Sequence, residues 1–232
     1  NDGGKEFTKK NESQEVFLDF FNINKNNPRR NQKGVYHSEI FKTEKGSIKV
    51  IVLDTRYFRT ALTKSIDSKK RFTPNTYGIG TILGQTQWKW LGQELNNSTA
   101  DFNIILSSIQ VLSAEHGFET WGNFPHEVEK LKNTIQKSKA TGVLLLSGDR
   151  HISEFSKTKV FDLPFPLIDF TSSGLTHSYD NFTSETNKHR VQNVVSEISF
   201  GILKFDFDTN KITMQMRGKD DKLLQELFQT YP

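Results

Sequence analysis

The feature that most constrains this chain is a set of short, unbroken apolar runs, each followed at once by polar residues. The strongest is Val143, Leu144, Leu145 and Leu146, which leads directly into Ser147, Gly148, Asp149, Arg150 and His151. Residues 50–53 repeat the pattern and residues 102–106 repeat it with one interruption at Asn103, ending at Asp54, Thr55 and Arg56 and at Ser107 and Ser108. A run of this length without polar alternation marks a strand buried on both faces. Helical patterns lie between the runs. Trp88, Leu91 and Leu95 line one face of residues 83–95, and Val128, Leu131 and Ile135 line one face of residues 124–139, with Pro125 at the start. Strand, helix, strand, helix, strand is the order of an α/β sheet, and such sheets bind ligands beyond the C-terminal ends of their strands. The polar clusters at 54–56, 107–108, 148–151 and 171–174 all fall at that edge.

The remaining chain fits around this frame. Residues 11–21 read as a helix whose apolar pairs are Val16, Phe17, Phe20 and Phe21. Residues 22–33 and 60–80 lack periodicity and read as loops, and residues 34–40 and 47–53 as strands joined by a turn. A further strand is expected at 166–170. A hairpin follows over 198–206 and 211–217 through Asp208, Thr209 and Asn210, with a third strand over 222–229. With 19 phenylalanines in 232 residues, the chain has enough burial capacity for a folded core, which excludes general disorder. Its net charge of +4 comes from basic residues scattered among 27 acidic ones, without the stripe a nucleic-acid binder carries. A mild positive field of this kind suits an anionic substrate. The chain has no cysteine, so disulfides, thiolate metal sites and cysteine nucleophiles are excluded. The apolar runs are too short to be transmembrane segments. The opening Asn1, Asp2, Gly3, Gly4 and Lys5 reads as the interior of a longer polypeptide.

Asp149 and His151 are the most informative pair. A carboxylate and an imidazole two residues apart, in a loop leaving a buried strand, can converge on an ion. Mixed oxygen and nitrogen donors suit Zn, Fe, Mn or Ca. The alternative is a turn in which Asp149 bonds backbone N–H groups and His151 is ordinary surface.

Several segments, in order, resemble the alkaline phosphatase D (PhoD-like) family. They are Leu53-Asp54-Thr55-Arg56-Tyr57-Phe58-Arg59, Leu83-Gly84-Gln85-Thr86-Gln87-Trp88-Lys89-Trp90-Leu91, Ser107-Ser108-Ile109-Gln110-Val111, Leu146-Ser147-Gly148-Asp149-Arg150-His151 and Thr171-Ser172-Ser173-Gly174-Leu175-Thr176-His177-Ser178. The resemblance implies a calcineurin-like metallophosphoesterase core, an α+β fold of two β-sheets packed face to face and flanked by helices. On that reading residues 1–232 are the C-terminal portion of a single domain, partnered by an upstream segment that supplies the remaining ligands. Asp149, His151 and Asn1 would bind metal, with two or more ions drawn from Ca, Fe, Zn or Mn. Arg56 and His151 would be catalytic, and Arg56, Arg150 and His177 would contact the substrate, a small phosphate ester. The implied reaction is phosphate-ester hydrolysis by a metal-activated hydroxide, in an enzyme exported to the periplasm or secreted. The rival expectation is a metal-free binding domain that retains the fold without catalysis. Gln87, Trp90 and Leu91 read as core, and His116 as a surface residue.

Overall fold

The computed structural model describes residues 3–232. The chain forms α1 (Lys10–Phe20), β1 (His37–Lys42), β2 (Ser47–Val52), β3 (Thr63–Lys64), β4 (Phe72–Thr73), α2 (Gly84–Asn96), β5 (Phe102–Leu106) and α3 (Pro125–Lys137). It continues with β6 (Val143–Ser147), β7 (Ser153–Thr158), β8 (Leu167–Ser172), β9 (Arg190–Val195), β10 (Phe200–Asp206), β11 (Lys211–Arg217) and β12 (Leu223–Thr230). Seven strands form one sheet in the order β1, β2, β5, β6, β8, β7, β9, and β10, β11 and β12 form a second. Strands β2, β5, β6 and β8 are parallel neighbours, so their C-terminal ends share one edge.

Register separates the two faces of the large sheet. Ile48 pairs with Phe102 and Lys49 with Asn103, so Lys49 and Phe102 point to opposite sides. On one side Lys49 reaches Glu94 of α2 at 2.7 Å, which places α2 there, and α3 packs on α2 through Glu127, which accepts the Trp88 indole N–H at 2.8 Å. On the other side Phe102 packs its ring 5.3 Å from those of Phe205 and Phe207. The second sheet therefore lies face to face with the first, as the resemblance implied. Ile51, Phe102, Ile105, Leu144, Leu145 and Phe170 are almost wholly buried, each contributing about 2 to 3 kcal/mol by leaving water.

The first helix departs from its expected role. It exists, but its buried residues are Gln14 and Leu18, while Val16 (68%), Phe17 (43%), Phe20 (77%) and Phe21 (57%) are exposed. The apolar face that periodicity detected is real and has no cover among the described residues. Two strands were not anticipated, β7 and β9. The 60–80 loop also contains the short β3–β4 hairpin. Among the described residues, no helix is long and apolar enough to cross a membrane.

Candidate active site

The edge where the parallel strands end is held together by buried polar side chains. Past β2, one oxygen of Asp54 accepts the backbone N–H groups of Arg56 at 2.9 Å and Tyr57 at 2.8 Å. Its other oxygen accepts the Val35 N–H at 2.9 Å. Gln87 of α2, fully buried, accepts the Asp54 N–H and donates to the Asp54 carbonyl, both at 2.8 Å. A single amide thus fixes the turn that carries Arg56. Trp90 and Leu91 lie on the same helix, Leu91 in the core and Trp90 half-buried against Tyr36.

Past β6, the Ser147 hydroxyl donates to Asp169 of β8 at 2.7 Å. Asp169 also accepts the N–H groups of Val111 at 2.8 Å and Leu112 at 3.0 Å, so one carboxylate ties the loop after β5 to the end of β6. Burial pushes its pKa up to about 6 against the pull of those hydrogen bonds. Gly148 does not take the left-handed backbone expected of a turn glycine. Instead Asp149 (φ 73°) and His151 (φ 55°) do. Non-glycine residues in that region cost about 1 kcal/mol or more each and concentrate at functional loops. The loop is anchored by the His151 N–H on the Ser173 hydroxyl at 3.1 Å and by the Tyr179 N–H on the His151 carbonyl at 2.7 Å.

The side chains expected at the site divide into groups. Arg56 sets a terminal nitrogen 2.7 Å from Glu119 and 3.8 Å from Asp149. The His151 ring lies edge-on to that of His177, centroids 4.8 Å apart, and both residues are exposed. Arg150 takes a different course. It is 8% exposed, donates to both oxygens of Glu185 at 2.6 and 2.7 Å, and lies over the Phe118 ring at 4.3 Å. Asn1 lies outside the described residues. His116, read as surface, is buried. Its Nδ1 accepts the Phe118 N–H at 3.1 Å, and burial, then the positive fields of Arg150 and Arg190, pushes its pKa down to about 3. Glu119, 2% exposed, was not anticipated. Its one sequence signal is a lone carboxylate in the aromatic stretch between Phe118 and Phe124.

As a metal site the arrangement is partial. Asp149, His151 and His177 are ligand-type groups at an open edge, but among the described residues no three His, Cys, Asp or Glu side chains gather closely enough to hold an ion. Donors from elsewhere would have to complete a coordination shell.

Comparison with known proteins identifies the family. Residues 3–216 match the family model for PhoD-like phosphatase. Alkaline phosphatase D of Bacillus subtilis (strain 168) is 29% identical over 140 residues, which is 53% of this chain and 24% of that protein. The chain thus spans about a quarter of the length of that curated relative. A solved structure described as that of PhoD superposes with a TM-score of 0.60 at 20% identity, covering 84% of this chain and 40% of the other, a likeness of fold.

Proposed function

We propose, from the premise that the chain belongs to the PhoD-like phosphatase family, that it is the C-terminal portion of a metallophosphoesterase domain hydrolysing phosphate esters. The observation that carries this reading is the Arg56 guanidinium standing 3.8 Å from Asp149 at the ligand-binding edge of the sheet. Asp149 and His151 would hold an ion, together with ligands from an upstream segment of the same protein. When bound, such ions supply Lewis acidity toward phosphoryl oxygens and acidify a water ligand. Arg56 would grip two phosphoryl oxygens through its planar fork and steady the charge that grows on them. His177, against the His151 ring, would border the substrate and limit how that imidazole turns. We assign Arg150 to the scaffold rather than to the substrate, because its guanidinium is buried on Glu185. Bare apolar surface supports a complementary segment: Val16, Phe17 and Phe20 stand exposed on α1 beside a groove of about 320 Å³ that reaches Arg56. Export to the periplasm or beyond belongs to the same proposal, through family resemblance.

The test is an aryl-phosphate assay of the complete polypeptide with added divalent metals, set beside Asp149→Ala and His151→Ala. Each variant should lose at least about 100-fold in kcat/KM and part of its bound metal. Unchanged rates and metal content in both would remove the assignment. The second reading is a metal-free binding domain that retains the fold. Elemental analysis of the purified wild type separates the two.

A further inference from the structure

We propose that Glu119 is a positioning residue that aims Arg56 at the reacting phosphate, an inference that rests on the role given to Arg56 above. Glu119 comes from the segment between β5 and α3, 63 residues along the chain from Arg56 and 30 residues before Asp149. One of its oxygens lies 2.7 Å from the Arg56 terminal nitrogen, and the other lies 2.8 Å from Nε of Arg59. Arg59 and Glu119 are 1% and 2% exposed at their side chains, whereas Arg56 is 34% exposed. One buried carboxylate therefore lies between two guanidinium groups, and Arg56 is the more exposed of the two.

The segment that carries the carboxylate is held by its own contacts. The next residue, Thr120, donates its N–H to Asn123 at 2.8 Å, and Trp121 donates its backbone N–H to the Gln110 carbonyl at 3.0 Å. The Trp121 indole, fully buried, donates to Ser107 at 3.0 Å. Gly122 packs so closely on Ala114 that an added Cβ would meet its Cβ at 2.4 Å. On the Arg56 side, Asp54 and Gln87 fix the backbone. An arginine fixed at both its root and its tip gives up little freedom when an anion arrives, which is how preorganised groups raise rates. The same contact holds Arg56 within 3.8 Å of Asp149, linking the substrate grip to the candidate metal ligand.

Side-chain NMR of the complete polypeptide tests the positioning without relying on turnover. Arg56 Nη–H signals, assigned by comparison with Arg56→Lys, should be resolved and slowly rotating in the wild type and averaged in Glu119→Gln. Glu119→Asp keeps the charge that Arg59 requires, guards against a simple folding failure, and should restore part of the ordering. Arg56 signals that are already averaged in the wild type, or equally ordered in all three proteins, overturn the proposal. In the phosphatase assay of the complete polypeptide, Glu119→Gln should lower kcat/KM roughly 10- to 100-fold, and nothing further should be lost when it is added to Arg56→Ala. If Arg56→Ala alone leaves the rate unchanged, Arg56 loses its assigned substrate role, while the NMR result still decides whether Glu119 positions it.

Discussion

His116 and Asp169 are buried ionisable side chains whose pKa values move in opposite directions, and together they shape how the fold responds to acid. For His116 the folded pKa of about 3 lies below the ordinary 6.5. The unfolded chain therefore binds the extra proton between those limits. This contribution to stability is complete above pH 6.5 and drains away as pH falls toward 3. For Asp169 the folded pKa of about 6 lies above the ordinary 3.8, so here the folded state binds the extra proton. Its contribution is complete below 3.8 and is lost as pH rises through 6. Between about pH 4 and 6 the two slopes, about 1.4 kcal/mol per unit each, offset one another. Single substitutions should separate them. As pH is lowered through that window, the stability of the wild type relative to His116→Gln should fall, and relative to Asp169→Asn it should rise. Urea melts at several pH values read both trends, and parallel curves for all three proteins would show that neither group titrates as described. The sequence indicated neither residue's burial. His116 sits in a stretch that reads as polar loop, and its environment comes from Arg150 and Arg190, distant in sequence.

Elements were legible where one apolar pattern met one kind of neighbour. The expected 102–106 strand matches β5 to the residue, and the expected 143–146 strand matches β6 to within one residue, because their apolar side chains, broken only by Asn103, point to both faces. Strand β7 escaped because Ser153, Glu154 and Ser156 are polar yet buried, satisfied by Ser199, Gln110, Asn187 and Arg190. Such a strand looks like loop until its partners are known. The α1 helix failed in the opposite sense: periodicity reports that an apolar face exists, not what lies against it. Two substitutions put numbers on this. Leu18→Ala, in the buried stripe, should cost about 2 to 5 kcal/mol. Phe20→Ser, at 77% exposure, should change stability of the isolated chain by less than about 0.5 kcal/mol while lowering self-association in sedimentation. A loss above 2 kcal/mol for Phe20→Ser would mean that α1 packs through its aromatic face.

At the scale of the whole molecule, the polar strand ends were readable, because parallel buried strands force their loops to a common edge, whereas the two packed sheets came only from the family resemblance. Which of those loops' side chains meet was not. Asp149 faces Arg56, His151 faces His177, and Arg150 between them turns into the protein. That division follows from two left-handed residues flanking Arg150, a conformation that residue type alone does not announce. The proposed function stands on Asp149 and His151 forming one side of a metal centre over which Arg56 would hold a phosphate. The most direct measurement is an anomalous difference map from crystals of the complete polypeptide grown with Mn²⁺ and inorganic phosphate. The expected result is a peak coordinated by Asp149 and His151, with a phosphate oxygen in reach of Arg56. A well-diffracting crystal with its ions bound elsewhere, and those two side chains solvated apart, would contradict it.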